Sequence, residues 1–173
     1  MPRLACAVVF SVLVSVSPLA GADDRGEGTM ILGDSAISMV AAFAYSGEQI
    51  DYDENGKELP HYELLLLAEP FDRQTFSSSD GTISDFNEWM YVEEPATIEI
   101  HLDPTLRPTF VKANAKGQFH ADRTGCGLEK IFADVKLVDG RLRGRIQDSG
   151  AGVQCPEGQK LAFDVSFDVT VEK

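Results

Sequence analysis

Residues 161–171, with the sequence LAFDVSFDVTV, decide the fold class. Apolar side chains alternate strictly with small, polar or charged ones, from Leu161 and Phe163 to Val171. Because successive side chains of a β-strand point to opposite faces, this pattern places an apolar face inward and a polar face toward water. The stretch is therefore predicted to be a strand of an antiparallel sheet with one solvated face.

A β-hairpin is predicted just before this strand, where Asp139-Gly140 separates two runs of alternating polarity. Asp-Gly between alternating runs is the strongest short-range signal for a hairpin with a two-residue turn. Such a turn sets Leu137 opposite Leu142 on the apolar face and Asp134 opposite Arg145 on the polar face. The second of these is a favourable cross-strand charge pair.

Further strands are predicted at residues 29–32, 37–45, 62–68 and 97–102, with two short strands in 110–119. The segment 37–45 is alanine-rich enough to be a helix instead. Residues 70–95 are predicted to form either a long loop or a lid. This segment contains one short predicted helix at 84–91, capped by Ser84. We therefore expect an all-β, mainly antiparallel single domain with one short helix and one disulfide. A β-sandwich and a small β-barrel both fit this pattern.

The N-terminus has the three parts of a secretory signal peptide. Arg3 is followed by an apolar run too short to span a membrane, and Ala20 and Ala22 form a small-x-small cleavage site. Cleavage after Ala22 makes Asp23 the first residue of the mature chain. We therefore expect residues 1–22 to be a signal peptide and residues 23–173 to be a single β-rich domain, periplasmic or secreted, with no membrane insertion after cleavage.

The charge of the mature chain excludes some partners. Residues 23–173 contain 14 Lys and Arg against 28 Asp and Glu, a formal charge of −14. So acidic a protein is repelled by nucleic acid and by anionic membrane surfaces. No nucleic-acid partner is expected.

Two cysteines, Cys126 and Cys155, survive cleavage, and an even count in an exported protein predicts a disulfide. Extending the register of the predicted hairpin places residue 126 opposite residue 153, so the bridge closes the open end of the hairpin. A closed loop of ~30 residues corresponds to about 3 kcal/mol in the chain-entropy model.

The sequence Asp51-x-Asp53-x-Asn55-Gly56 matches the first half of an EF-hand calcium loop. Three side-chain oxygens at this spacing converge on one centre, as calcium requires. The twelfth position, where a bidentate glutamate is the rule, is Tyr62. Asp51, Asp53 and Asn55 are therefore candidate calcium ligands. The alternative is a solvated acidic turn between strands, and apart from this calcium no cofactor is expected.

Two other groups of residues are candidates for a functional site. His101-x-Asp103 and His120-x-Asp122, with Glu99 beside the first, form a metal site only if their strands are neighbours. The alternative is two ordinary surface histidines in an acidic protein. Phe86, Trp89 and Met90 point to one side of the predicted helix. They are candidates for an aromatic lid over a ligand cavity, with a satellite core cluster as the alternative.

Gly33-Asp34-Ser35 resembles the nucleophile block of GDSL-type esterases over three residues. The late Asp-x-x-His of that family is missing, and a serine without a base is not an activated nucleophile. We predict a hairpin turn here.

The sequence is most typical of a non-catalytic binding module for a small apolar ligand or a protein partner. It contains no P-loop, Rossmann glycine fingerprint, zinc-ligand series or esterase elbow. A cell-envelope hydrolase is the first alternative, because active sites can be assembled from scattered residues. A calcium-dependent structural or adhesion module is the second.

Overall fold

A computed structural model describes residues 24–71, 82–115, 119–122, 127–149 and 160–173, with the backbone alone at residues 48–50, 82 and 119–122. These residues are mainly β, with one α-helix and one turn of 3-10 helix at Leu128–Lys130. The strands are β1 (Arg25–Leu32), β2 (Ser35–Met39), β3 (Ala41–Tyr52), β4 (Glu58–Leu67), β5 (Thr97–Leu102), β6 (Pro108–Ala115), β7 (Phe119–Asp122), β8 (Phe132–Val138), β9 (Arg141–Asp148) and β10 (Leu161–Glu172); the helix is α1 (Thr82–Glu93).

The strands form one curled sheet with two antiparallel parts. One part has the order β2-β1-β10-β9-β8, and the other runs β3-β4-β5-β6-β7. They join where the end of β10 pairs in parallel with β3, with Val171 opposite Ala44. The prediction of a mainly antiparallel β-rich fold with one short helix is confirmed, and the choice between a sandwich and a barrel stays a prediction.

The strand β10 lies at the centre of the first part, as its alternating sequence predicts. It pairs with β1 on one side and with β9 on the other. Along β10, the apolar positions from Leu161 to Val169 are buried and the positions between them are partly or fully exposed. The sequence pattern therefore predicts both the strand and its buried face.

The hairpin of β8 and β9 has the predicted register. Leu137 pairs with Leu142 and Asp134 with Arg145. Asp139 and Gly140 have φ values of 53° and 74°, as a type I′ turn requires at both central positions. The Arg145 guanidinium also binds across the sheet, since its Nε donates to the Asp164 carboxylate on β10 at 2.6 Å.

The predicted turn at Gly33-Asp34 is confirmed, because β1 and β2 pair with Leu32 opposite Ser35. The segment 37–45 is strand and not helix. At Val40 the segment passes from β2, which pairs with β1, to β3, which pairs with β4. The Val40 N–H donates to the Leu67 carbonyl at 2.8 Å. Alanines at 41, 42 and 44 lie inside β3 because tertiary packing overrides the helix propensity of alanine.

The main core lies between the inner faces of the two parts of the sheet. It is filled by apolar side chains from most strands, among them Met30, Met39, Leu64, Leu66, Ile98, Ile100, Val111, Leu142, Ile146, Leu161, Phe163, Val165 and Val169. The strand β4 is also buried on its second face, as predicted for the leucine run, because Leu65 and Leu67 pack in a separate cluster on the outer side.

Helix α1 confirms the predicted helix, but it begins at Thr82. Ser84 lies in its first turn, so the prediction that Ser84 is the cap is wrong. Within the described residues no helix is long and apolar enough to cross a membrane.

The predicted signal peptide, with Ala20, Ala22 and Asp23, lies outside the described residues. Cys126 and Cys155 also lie outside them, and the structure gives the predicted disulfide no support. Both the cleavage and the disulfide stay predictions.

Candidate functional site

The outer face of strands β3–β6, in the second part of the sheet, is the surface that points away from the main core. On β4 and β5 it is formed by the odd-numbered residues, since the even-numbered ones lie in the core. It has an apolar area, which α1 covers, and a polar area beside it. The candidate site lies in the polar area.

The apolar area is an aromatic cluster between α1 and the strands β3 and β4. Phe86 is fully buried and stacks on Phe43, with ring centroids 3.9 Å apart, and Trp89 and Met90 pack against the same cluster. Phe71 contacts Phe86 edge-on at 5.5 Å. The three candidate lid residues therefore lie together on the outer face, in a packed cluster. Their role as a ligand lid stays a prediction.

Three side chains that can ligate a metal meet in the polar area. Glu63 on β4 lies directly opposite His101 on β5, and Glu99 lies on the same face two residues before His101. The His101 Nε2 atom is 2.9 Å from Glu99 Oε1 and 3.7 Å from Glu63 Oε2. One ligand atom from each residue lies within 4.8 Å of the other two. We call these three residues the triad.

The triad is held by neighbours on both sides. Tyr45 on β3 lies opposite Glu63, and its hydroxyl donates a hydrogen bond to Glu63 Oε2. Phe110 on β6 lies opposite His101, and the two rings pack with centroids 4.5 Å apart. One row across four strands, Tyr45-Glu63-His101-Phe110, therefore positions two of the three ligand groups.

The carboxylates change the protonation of the histidine. The hydrogen bond with Glu99 raises the pKa of His101 above its ordinary value, burial opposes this, and the charges of Glu63 and Glu99 raise the pKa further. The side chains of His101, Glu99 and Glu63 are 34%, 30% and 21% exposed, so a ligand can reach all three from solvent. The triad is an accessible anionic site that stabilises positive charge.

The predicted calcium residues form a hairpin turn between β3 and β4. Asp53 Oδ1 accepts hydrogen bonds from the backbone N–H groups of Asn55 at 2.8 Å and Lys57 at 2.9 Å. The Asp51 carboxylate lies 3.0 Å from His61 Nε2 on the neighbouring strand. The Asp53 and Asp51 carboxylates therefore have protein partners within the hairpin, and calcium binding at Asp51, Asp53 and Asn55 stays a prediction.

The hypothesis of a metal site shared by the two His-x-Asp motifs is wrong in its geometry. The strand β6 lies between the strands of His101 and His120. Asp103 is in the β5–β6 turn, where its Oδ1 accepts from the N–H groups of Thr105 and Arg107 at 2.8 and 3.0 Å. Of the residues in that hypothesis, His101 and Glu99 lie together in the triad.

Sequence reasoning missed Glu63 and Tyr45 as site residues. Glu63 is a charged residue inside the apolar run of β4, a position where charge is unusual in a strand buried on both faces. That interruption is a usable signal. Its partners are 36 and 38 residues further along the chain, and only the β4–β5 register brings them together.

Comparison with protein-family models, curated proteins and solved structures gave no match for this chain.

Proposed function

We propose that the chain is an exported, non-catalytic binding module that holds a cationic ligand on its outer face, at Glu63, Glu99 and His101. The observation that carries this proposal is the convergence of two carboxylates and one imidazole from adjacent strands, within 4.8 Å of one another. The scaffold is a β-sandwich or a small β-barrel, and the compartment is the periplasm or the exterior.

The described interior favours a ligand on the surface over a small apolar ligand inside. Side chains of both sheet parts fill the space between their inner faces, and the largest of them are fully buried, including Met30, Leu64, Ile100 and Ile146. An interior packed in this way has few voids larger than a water molecule. The triad, in contrast, is open to solvent.

The charge of the protein supports a cation as the ligand. The sequence gives the mature chain a formal charge of −14, and the two triad carboxylates add local negative potential on a half-buried surface. Electrostatic attraction of this kind raises the local concentration of cations and repels nucleic acid and anionic lipid.

A hydrolase of the cell envelope is the second candidate function. The observation that favours it is the same gathering of a histidine and two carboxylates, since these groups also serve general acid–base catalysis. If the wild type hydrolyses a substrate and substitution of Glu99 abolishes that hydrolysis, the hydrolase is supported and the non-catalytic binding module is contradicted.

The test is native mass spectrometry, without reductant, of the protein exported by its own host. We expect the mass of residues 23–173 less two hydrogens, as signal cleavage and the Cys126–Cys155 disulfide require, plus the mass of a bound cationic species. The double variant Glu63→Gln/Glu99→Gln is expected to lose the bound mass and still to show the signal cleavage and the disulfide.

The matched control is Asp51→Asn/Asp53→Asn, which changes the charge by the same amount in the nearby hairpin. It is expected to retain the bound species. A bare wild-type protein, or a bound mass that survives in the triad variant, contradicts the proposal. Loss of the bound mass in the Asp51/Asp53 control supports the calcium-dependent module instead.

A further inference from the structure

We infer that Glu63, Glu99 and His101 are the protein ligands of one divalent first-row transition metal ion, such as Zn²⁺. This inference rests on the proposed function, because it names the cation that the outer face binds. It assigns a ligand atom to each residue: Nε2 of His101, Oε1 of Glu99 and Oε2 of Glu63.

The donor set selects the class of metal. Imidazole nitrogen is a good ligand for zinc, copper, iron and nickel ions, whereas calcium and magnesium prefer oxygen ligands alone. Two carboxylates beside one imidazole are compatible with Zn²⁺, which binds histidine nitrogen and glutamate oxygen at about 2.0–2.2 Å. The set contains no thiolate, which removes the softest metals from consideration.

The spacing of the ligand atoms suits an ion of this size. Ligand atoms about 2.1 Å from one ion lie about 3.0 Å apart in octahedral geometry and about 3.4 Å apart in tetrahedral geometry. The His101–Glu99 and His101–Glu63 distances are 2.9 and 3.7 Å. The ligand oxygens of Glu63 and Glu99 lie within 4.8 Å of each other, so an ion is bound once these two carboxylates move closer together.

Neighbouring side chains orient two of the three ligands. The Tyr45 hydroxyl donates to Glu63 Oε2 and so orients that carboxylate, while Phe110 packs on the His101 ring. All three ligands lie on paired strands, which hold their side chains more precisely than loops do. Three protein ligands leave at least one coordination position for water or for a donor atom of a partner.

The test is a titration of the mature, metal-free protein with Zn²⁺ by isothermal calorimetry. The wild type is expected to bind one Zn²⁺ per chain. Glu99→Gln and His101→Gln each remove a donor, and each is expected to weaken binding by more than the 10–100-fold that is typical for loss of an outer partner.

The structure offers a matched control in the pair of Asp51 and His61. These residues are also a carboxylate and an imidazole 3.0 Å apart, on the neighbouring β3–β4 hairpin, but they are not part of the triad. Asp51→Asn and His61→Gln are expected to leave the Zn²⁺ affinity within twofold of the wild type.

A second measurement separates a lost site from a lost fold. Co²⁺ replaces Zn²⁺ as a spectroscopic probe, and its visible absorption should appear in the wild type and in Asp51→Asn but not in Glu99→Gln. Near-ultraviolet circular dichroism should be the same for all three. Absence of Zn²⁺ binding, full binding by Glu99→Gln, or an equal loss in the Asp51 and His61 variants overturns the inference.

Failure of the inference is distinguishable from failure of the proposed function. If the wild type binds no Zn²⁺ but carries an organic cation that the Glu63→Gln/Glu99→Gln variant lacks, the metal site is contradicted and the binding module is supported. A protein that shows neither contradicts both.

Discussion

Phe86 of helix α1 stacks on Phe43 of strand β3, with ring centroids 3.9 Å apart and ring planes within 10° of parallel. Both rings are fully buried, so the helix is attached to the outer face by a contact that excludes water. Leu65 belongs to the same cluster and lies directly opposite Glu99. The aromatic cluster therefore borders the triad and limits its access to water on that side.

Removal of the Phe86 ring is expected to destabilise the fold. Phe86→Ala deletes a fully buried aromatic side chain, and such changes reduce the free energy of unfolding by about 3–5 kcal/mol. Urea denaturation measures the loss. The control is Tyr91→Ala on the same helix, where the side chain is 82% exposed and the change should stay within about 0.5 kcal/mol. A small effect of Phe86→Ala would mean that the ring belongs to a loosely packed lid.

Gly144 allows β8 and β9 to approach closely, and an alanine there should be costly. A Cβ atom on Gly144 would lie 2.0 Å from the carbonyl oxygen of Asp134. A backbone atom cannot move aside easily. Gly144→Ala is therefore expected to lower the free energy of unfolding by about 3 kcal/mol or more, the upper end of the range for overpacked sites.

Gly56 is the comparison for Gly144. Its φ is +77°, and no described atom lies within 4 Å of its Cβ position, so Gly56→Ala costs only the backbone strain of about 1 kcal/mol. Thermal denaturation of the two variants compares them directly. Equal losses of stability would contradict the close approach of β8 to β9.

The Asp53 carboxylate is expected to make the hairpin turn sensitive to acid. The hydrogen bond from the Lys57 N–H, followed by that from Asn55, lowers the pKa of Asp53 below its ordinary value of 3.8. A carboxyl with a lowered pKa adds stability above the pKa of the unfolded state, and this stability is lost as the pH falls through the lower, folded-state pKa.

Asp53→Asn should therefore lower the urea midpoint at neutral pH and reduce its decline below about pH 4. The measurement is a series of urea denaturation curves between neutral pH and about pH 2. A variant whose midpoint falls in parallel with that of the wild type would show that the Asp53 charge does not contribute.

Tyr45 is expected to act as a positioning residue for Glu63. Tyr45→Phe removes the hydroxyl that donates to Glu63 Oε2 and should weaken Zn²⁺ binding by about 10-fold, the lower end of the range for outer partners. Calorimetry measures the affinity, and the melting temperature of the metal-free protein checks for a purely structural effect. Tyr52→Phe, which alters a 62% exposed tyrosine, is the control and should bind as the wild type does.

Local pattern was sufficient to predict most of the sheet. The alternation in β10 and the Asp-Gly turn before β9 depend on neighbouring residues, and the register that they predicted is the observed one, down to Leu137 opposite Leu142. The start of α1 was less accurate, because a serine two residues inside a helix has the same local signature as a serine that caps it.

The candidate site needed information that is not local. His101 and Glu99 are two residues apart, so their association was visible in the sequence. Glu63 is placed beside them by the pairing of β4 with β5, and a shift of one residue in that register would turn Glu63 to the core face. His120 failed as a partner for the same reason, since the strand that separates it from His101 is a property of the topology.

The most direct test of the metal-binding triad is a crystal structure of the mature protein soaked with Zn²⁺, with anomalous diffraction recorded on both sides of the zinc absorption edge. We expect one zinc-specific peak about 2.0–2.2 Å from His101 Nε2 and from a carboxylate oxygen of Glu63 and of Glu99. An empty triad, or a peak at Asp51 and His61 instead, would contradict a metal site at these three residues.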